Sequence, residues 1–268
     1  MNNKIKIALI TVYMGTWPWY YKYFLHTCQY NNDIDFYIFS DIPDEIKYPS
    51  NVIKIKYTLD QFNKGATELL GFNINVNYAY KLCDFKPAYG FLFEGIIKDY
   101  DFWGYCDIDI IWGNIRKFMT DEILSNYGII SGRHDYMSGG FALFKNTKFN
   151  RNLFKLSKDF KKVFTESRNF IFDETNFAFE EFNNGIHYKE IKTEIESFTH
   201  VVLKLKEEQK IKVYFELQIL EGITDLIKWD NGILIYNNQY ELLAFHLVRL
   251  KDSADNFTKI DAIFSYSV

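Results

Sequence analysis

The sequence predicts an α/β fold in which a mostly parallel central sheet is flanked by helices. Three short apolar runs, at residues 4–12, 35–40 and 52–57, have the length and the β-branched or aromatic content of buried strands. Helical patterns lie between the first two runs, at 20–30, and after the third, from Thr58 onward. Strands and helices that follow one another in this way indicate an α/β opening with a parallel sheet.

The loops after the first two strands are expected to line one crevice. Ligands of parallel sheets bind beyond the carboxyl ends of the strands, and Tyr13 and Asp41 follow two such ends. The helix that starts at Thr58 carries Gln61 three residues later, which is the capping-box pattern. No Gly-x-Gly-x-x-Gly follows the first strand and no P-loop motif occurs, so a dinucleotide fold and a P-loop are both disfavoured.

The composition is that of a soluble globular protein. Of the 268 residues, 48% are hydrophobic and 25% are charged, which allows one large domain with a sizeable core. The formal charge of −4 argues against nucleic-acid binding, which normally needs a basic face. No apolar run approaches the roughly 18 residues of a membrane-spanning helix. Three scattered cysteines, without a Cys-x-x-Cys pair, predict a reduced, cytoplasmic protein.

The aromatic stretch DFWGYCDIDIIWG, which starts at position 101, contains two carboxylates two residues apart. If it is a strand, Asp107 and Asp109 share one face while Cys106, Ile108 and Ile110 fill the other. Burying two unpaired carboxylates is costly, so a divalent cation between them is a simple explanation. A strand end where two acids meet water explains the same pattern.

Lys86 precedes Pro87, a residue that suits the first turn of a helix running to about residue 97. A lone lysine is usually a solvated surface charge. Here it lies among aromatic residues directly before the acidic stretch, and its ammonium group could instead bind a phosphate.

A Ser-Gly-Gly sequence lies between two further predicted strands, at 128–132 and 141–145. Ser138, Gly139 and Gly140 would let the backbone approach a ligand closely. An ordinary tight turn is the alternative.

Two acidic residues follow a helix that is predicted over 147–164. Asp173 and Glu174 would open a second helix that ends near Phe182, where acids complement the helix dipole. The functional interpretation is a carboxylate that holds a sugar hydroxyl or takes its proton.

The last third of the chain is less regular. Residues 186–212 are predicted to be irregular or to face an acceptor, 213–217 to form a strand, and 232–245 to form a hairpin around a two-residue Asn turn. His246, Arg249 and Lys251 then crowd a strand end. A lone histidine is usually structural, but this group could complete a metal and phosphate site.

These segments together resemble the GT-A class of nucleotide-sugar glycosyltransferases, in particular bacterial capsule and lipopolysaccharide enzymes. The resemblance covers residues 4–251, and its motifs are the α/β opening without a P-loop, Lys86-Pro87, Asp107-x-Asp109, Ser138-Gly-Gly, Asp173-Glu174 and His246, in that order. It implies one Rossmann-like GT-A domain over 1–268. Residues 1–145 would bind the nucleotide sugar, and 146–268 would form a smaller acceptor-side region with a C-terminal metal and phosphate segment.

The resemblance also implies a function. A hexosyl group would pass from a nucleoside-diphosphate sugar, with UDP favoured, to a glycan or lipid-linked saccharide in bacterial surface polysaccharide synthesis. Mn²⁺ or Mg²⁺ would be held by Asp107, Asp109 and His246, and Asp173 or Glu174 would be the catalytic acid or base. Donor or phosphate contacts are implied for Thr11, Tyr13, Asp41, Lys86, Asp107, Ile108, Ser138, Gly139, Gly140, Arg249 and Lys251.

Two alternatives remain open. A metal-dependent phosphoesterase could use the same acids, although the extra His and Asp clusters of a two-metal site are missing from the sequence. The aromatic content of 19% would also suit a non-catalytic carbohydrate-binding protein. The sequence leaves undetermined the donor sugar and base, the acceptor, the stereochemical outcome and the oligomeric state, and peripheral membrane contact is possible.

Overall fold

The computed structural model describes residues 4–222, 227–248, 250–251 and 257–264. Its strands, in chain order, are β1 (Ile7–Val12), β2 (Ile34–Ser40), β3 (Val52–Lys56), β4 (Phe102–Cys106), β5 (Ile110–Trp112), β6 (Ile129–Ser131), β7 (Phe141–Lys145), β8 (Val213–Phe215), β9 (Ile219–Glu221), β10 (Ile227–Asp230), β11 (Ile233–Tyr236), β12 (Tyr240–Leu242) and β13 (Ala244–His246). Its helices are α1 (Tyr21–Cys28), α2 (Leu59–Leu70), α3 (Tyr89–Leu92), α4 (Glu94–Ile97), α5 (Ile115–Phe118), α6 (Asp121–Asn126), α7 (Lys148–Arg151), α8 (Phe160–Thr165), α9 (Phe179–Asn183), α10 (Phe198–Glu207) and α11 (Phe257–Ile263), with 3₁₀ helices at Ala79–Ala88 and Leu153–Leu156.

Among the described residues, the central sheet contains seven strands in the order β3-β2-β1-β4-β7-β6-β8. The pairs β1–β2, β1–β4, β2–β3 and β6–β8 are parallel, and only β7 runs antiparallel to its neighbours β4 and β6. Hydrophobic clusters cover both faces of the sheet. The predicted α/β class, with a mostly parallel central sheet flanked by helices, is therefore confirmed.

Two smaller sheets complete the described part of the chain. In the first, β13 pairs antiparallel with β5 and parallel with β9. In the second, β10, β11 and β12 form an antiparallel meander. Since β5 follows β4 after three residues, the first small sheet begins where a central strand of the large sheet ends.

Several local predictions are confirmed. The side chain of Thr58 accepts a hydrogen bond from the Gln61 amide at 3.2 Å, and the Gln61 side chain accepts one from the Thr58 amide at 2.8 Å, so the capping box is complete. A hairpin at the Asn residues is confirmed, and Asn237 and Asn238 have left-handed φ of 54° and 53°. Its predicted two-residue turn is wrong, because Tyr236 pairs with Tyr240 and three residues connect the strands. The hairpin ends at Leu242, and the chain then enters another sheet as β13.

The predicted long helix over 147–164 is wrong. The segment is divided into α7, a 3₁₀ helix and α8, with Ser157 between the last two. The Ser157 hydroxyl donates to the Glu196 carbonyl at 2.7 Å and accepts from the Asp159 amide at 3.2 Å. This break allows Phe154 and Phe164 to stack in the core, with ring centroids 5.6 Å apart.

The prediction that 186–212 is irregular is wrong for 198–207, which form α10, and it holds for 186–197, where the backbone forms neither helix nor strand. The helix buries Phe198, Val201, Val202 and Leu205, whose spacing is that of one helical face. That signal was present in the sequence but was obscured by the lysines and glutamates around it. Strands β9 and β10 were not predicted either, since three or four residues carry too little periodicity.

Among the described residues, none of the helices combines the length and apolar character that crossing a bilayer requires.

Gly104, in the middle of β4, leads to a first prediction. A Cβ atom there would lie 2.2 Å from the Ala142 carbonyl oxygen and 2.9 Å from the Leu9 side chain, so the neighbouring strands would have to move. We expect Gly104→Ala to lower the free energy of unfolding by at least about 2 kcal/mol, measured by urea denaturation.

Gly95 in α4 is the matched control, because a Cβ there meets nothing within 4 Å. Gly95→Ala should leave stability unchanged or raise it by roughly 0.5 kcal/mol. Equal effects of the two substitutions would contradict the close strand contact at Gly104.

Candidate active site

Asp107 and Asp109 lie in a turn that joins two sheets. The prediction of one continuous strand is wrong, because β4 ends at Cys106 and β5 belongs to the first small sheet, but the two carboxylates still lie close together. The Asp107 amide donates to the Gly140 carbonyl at 3.0 Å, and the Asp109 carbonyl accepts from the Leu247 amide at 2.9 Å. Each aspartate is thus held by a different part of the chain.

The structure brings His246 to this pair of aspartates. His246 ends β13 and lies opposite Ile110, the first residue of β5. One carboxylate oxygen each from Asp107 and Asp109 and one ring nitrogen of His246 all lie within 4.8 Å of one another. This separation suits three ligands of one divalent cation.

Glu221 orients the imidazole ring of His246. It ends β9, directly opposite His246, and its Oε1 lies 3.1 Å from Nδ1, while Nε2 of the ring lies 3.2 Å from Asp109 Oδ1. Arg133 contacts the other oxygen of Glu221 at 3.1 Å. Metal-binding histidines usually have such a carboxylate partner on the second nitrogen. The sequence contained no local signal for Glu221, because the parallel register of β9 and β13 creates the contact.

The negative charge of the Asp109 carboxylate is compensated by His246 and Lys251. Burial alone would raise the pKa of Asp109, but His246 and Lys251 hold it well below its usual range. Burial would lower the pKa of His246, and the Asp109 carboxylate outweighs this effect and raises it to about 10. The Lys251 ammonium lies 2.7 Å from Asp109 Oδ2. Without a metal, a protonated imidazole and a lysine therefore neutralise this carboxylate.

Lys86 is buried, and it is not the surface charge that a lone lysine usually represents. It lies within the 3₁₀ helix Ala79–Ala88, and Pro87 lies in that helix too, so the predicted helix start at Pro87 is wrong. The Lys86 ammonium contacts Asp107 at 2.7 Å, Asp173 at 3.5 Å and the Gly139 carbonyl at 2.8 Å. It therefore links the Asp107 turn to the segment that carries Asp173.

Gly139 and Gly140 allow side chains to approach the backbone closely. The Gly139 amide donates to Glu174 at 2.8 Å, and a Cβ on Gly139 would lie 3.0 Å from an Asp173 oxygen. A Cβ on Gly140 would lie 3.3 Å from the His246 ring. Ser138 is buried, and its hydroxyl accepts from the Phe141 amide at 3.3 Å, so it shapes this turn.

Asp173 and Glu174 do not open a helix, contrary to the prediction. They lie in a turn over 172–177, and α9 starts only at Phe179. Burial raises the pKa of Asp173 well above its usual value even though Lys86 lies close by, and burial also raises the pKa of Glu174. Carboxyl groups with raised pKa values can hold or release a proton near neutral pH.

A buried ion pair shapes this turn. Asp84 accepts from the amides of Phe170 and Phe172 at 2.9 Å and 2.8 Å, and Lys81 neutralises it at 2.8 Å. Two amides that converge on one carboxylate force the residue between them, Ile171, into the left-handed region with φ of 51°. The ion pair therefore sets the backbone path directly before Asp173.

A cleft of about 270 Å³ opens beside the aspartates. Its walls include six of the predicted donor-binding residues, Thr11, Tyr13, Lys86, Asp107, Ile108 and Lys251, together with the predicted metal ligand Asp109. Residues that the sequence analysis did not identify also line it, among them Met14, Tyr20, Tyr80, Cys83 and Tyr89.

The five other predicted donor or phosphate contacts are not found in the wall of this cleft. Ser138, Gly139 and Gly140 lie in the turn before β7. Asp41 is exposed and accepts from the Gly15 amide at 3.2 Å, so it supports the loop after β1 without lining the cleft. Arg249 lies outside the described residues.

Asp84 provides the second prediction. Asp84→Asn keeps the shape of the side chain but leaves the Lys81 charge, which is only 1% exposed, without a counter-ion. We expect a loss of about 3–5 kcal/mol in the free energy of unfolding, measured by urea denaturation. The control is Asp121→Asn, which breaks an ion pair to Arg116 whose acidic side is 70% exposed and should cost under about 1 kcal/mol. Similar losses in both variants would contradict the structural role of the buried pair.

The chain was compared with family profiles, with curated sequences and with solved structures. Residues 9–265 match the profile of a family of unknown function, DUF6625. No curated protein sequence matches the chain significantly.

Among solved structures, the chain is similar to a galactosyltransferase, LgtC, in complex with donor and acceptor sugar analogs, with a TM-score of 0.42, 13% identity, and coverage of 97% of this chain and 95% of that one. It is also similar to the glycosyltransferase GlyE of Streptococcus pneumoniae TIGR4, with a TM-score of 0.38 and 13% identity, over 80% of this chain and 45% of that one. Because its profile spans nearly the whole sequence, the chain belongs to the DUF6625 family.

Proposed function

We propose that this protein is a metal-dependent glycosyltransferase of the GT-A type that uses a nucleoside-diphosphate sugar. The main support is that Asp107 and Asp109 line a cleft together with two lysines, and that a ring nitrogen of His246 lies within 4.8 Å of a carboxylate oxygen of each aspartate. Two carboxylates and an imidazole can hold a cation, and lysines can contact phosphate oxygens. A diphosphate leaving group needs both a bound cation and ammonium groups that contact its oxygens.

The donor set favours Mn²⁺ over Mg²⁺. Carboxylate oxygens suit either ion, whereas Mg²⁺ is bound mainly through oxygen and His246 offers a nitrogen. Asp107, Asp109 and His246 would hold the ion, and the contact from Glu221 to Nδ1 leaves Nε2 of His246 for it. When bound, the cation supplies Lewis-acid stabilisation of the diphosphate that departs.

The two lysines would have different roles. Lys251 is about one-third exposed at the cleft, so it can leave Asp109 when a cation binds there and turn to the phosphates. Lys86 is almost fully buried between Asp107 and Asp173, and it would keep the aspartate turn in place. Arg249 remains a predicted phosphate contact.

Asp173 and Glu174 would accept the proton of the acceptor hydroxyl or stabilise the positive charge that develops on the sugar. Sugar transfer develops positive charge at the anomeric carbon, as in glycoside hydrolysis, and the acceptor hydroxyl must lose a proton. Asp173 contacts Lys86, which lines the cleft, and Glu174 accepts from the amide of Gly139, whose carbonyl accepts from Lys86. In an inverting reaction, either carboxylate could take the proton of the acceptor hydroxyl. In a retaining reaction, either could stabilise the positive charge at the anomeric carbon.

The remaining assignments are also proposals. Thr11, Tyr13 and Ile108 would border the nucleotide, and Asp41 would support that loop. Ser138, Gly139 and Gly140 would border the donor sugar. UDP is the favoured nucleotide, a hexose the favoured sugar, and a glycan or lipid-linked saccharide the acceptor. The reaction would belong to bacterial surface polysaccharide synthesis in the cytoplasm.

Titration with UDP tests the proposal. We expect UDP to bind in the presence of Mn²⁺ and to lose more than about tenfold in affinity in Asp109→Ala, because a ligand of the cation is removed. Isothermal titration calorimetry measures the UDP affinity of the unmodified protein and of the variant. Asp99→Ala, an exposed aspartate before β4, is the control and should bind UDP normally.

Unchanged, Mn²⁺-dependent UDP binding and sugar transfer in a folded Asp109→Ala variant would rule out the proposed site. Glycan binding that chelators leave untouched, without UDP binding, would instead indicate the carbohydrate-binding alternative.

The pH dependence of Mn²⁺ binding gives a further prediction. The pKa of His246 is raised to about 10 in the metal-free protein, so the imidazole is protonated at neutral pH and must lose one proton to become a ligand. The apparent affinity for Mn²⁺ should therefore rise with pH, by up to about tenfold per unit between roughly pH 6 and 8. An affinity that is independent of pH in this range, measured by calorimetry, would exclude His246 as a ligand.

A further inference from the structure

An exposed aromatic residue follows the buried Asp173 and the half-buried Glu174. Phe177 comes three residues after Glu174, and its side chain is 62% exposed. Three residues of chain span at most about 10 Å, so the Phe177 backbone lies close to the candidate acid and base. A large apolar side chain held in water beside a reactive centre suggests a binding function.

The backbone holds Phe177 in an unfavourable conformation. Its φ is 68° and that of Asn176 is 55°, so two consecutive residues are left-handed. Asparagine tolerates this region, but phenylalanine does not favour it. Such strain persists only where the surrounding structure imposes it, and it is common at ligand-binding positions.

The side chain of Asn176 imposes this conformation. It is buried, donates to the Phe170 carbonyl at 2.8 Å, and accepts from the amides of Glu194 and Ile195 at 2.9 Å and 3.2 Å. These three bonds fix the chain directly before Phe177. The exposure of the ring is therefore built into the turn.

A second exposed aromatic residue lies beside the same turn. Tyr80 is 61% exposed and lines the cleft, and partial burial and nearby negative charges, including Asp173 and Glu174, raise its pKa to about 12. The Asn169 side chain joins the two segments, because it donates to the Tyr80 carbonyl at 3.1 Å and accepts from the Ile171 amide at 2.9 Å.

We propose that Tyr80 and Phe177 form an aromatic platform on which a sugar ring of the acceptor stacks. A pyranose has an apolar C–H face that fits an aromatic ring, and hydroxyl groups at its edge that suit carboxylates. Tyr80 lines the cleft, and the short chain separation keeps the Phe177 backbone near Asp173 and Glu174, so in the proposal both rings border the path of an acceptor hydroxyl. This inference rests on the proposed function and names the acceptor as a saccharide with an open pyranose face.

Saturation-transfer NMR with methyl β-D-glucopyranoside and methyl β-D-galactopyranoside tests the platform, in the presence of UDP and Mn²⁺. We expect at least one glycoside to bind the unmodified protein, and its affinity to fall about tenfold in Phe177→Asn and in Tyr80→Ala. Phe149→Ala removes another exposed ring, on α7 after the far end of β7, and should leave glycoside binding unchanged.

A stability measurement separates binding from packing. Asparagine accepts the left-handed conformation better than phenylalanine, so Phe177→Asn should melt at the same temperature as the unmodified protein or higher. A clear fall in melting temperature would show that the ring serves packing, and would overturn the proposal.

Three other outcomes overturn it. These are glycoside binding that both variants retain, the absence of glycoside binding in the unmodified protein, and Phe177-dependent binding to phosphatidylglycerol vesicles in its place. UDP titration of the unmodified protein distinguishes failure of the aromatic platform from failure of the proposed function. If UDP and Mn²⁺ bind while the variants keep the glycoside, only the platform fails; if UDP does not bind, the proposed function fails.

Discussion

The need to neutralise the buried carboxylate of Asp109 governs the arrangement of this site. A buried anion without partners is strongly unfavourable, and here His246 and Lys251 supply positive charge from the C-terminal part of the chain. The imidazole in turn contacts Glu221, and Glu221 contacts Arg133. Charges of alternating sign therefore connect the turn after β4 to β13, β9 and the loop after β6.

A second series of charges leads from Asp107 to the opposite side of the site. Lys86 joins Asp107 to Asp173, and the nearby pair of Lys81 and Asp84 holds the backbone that precedes Asp173. Because Lys81, Asp84 and Lys86 lie on one short 3₁₀ helix, that helix positions both the aspartate turn and the candidate acid and base. Buried ion pairs are weak sources of stability, so their value here is in geometry.

Much of the fold could be predicted because its signals are local. The apolar runs of β1, β2, β3 and β7, the capping box at Thr58 and the Asn turn of the hairpin depend on neighbouring residues. The failures have physical causes. Short strands such as β9 carry little periodicity, and Ser157 breaks a helical pattern through a contact with Glu196, which is distant in sequence. Helix α10 was missed because exposed charges masked its apolar face.

The sequence by itself determined the α/β class, and it supplied the chemical groups of the site, namely two aspartates, a histidine and lysines in a fixed order. Only the tertiary structure decided how these groups meet. The ends of β4, β9 and β13 come together through strand pairing between distant segments, which introduced Glu221 and placed Asp107 and Asp109 in a turn. Lys86 is buried by contacts with Asp107, Asp173 and Gly139, which are also distant in sequence. Side-chain chemistry can be read along the chain, whereas proximity between distant residues arises only when the sheets form.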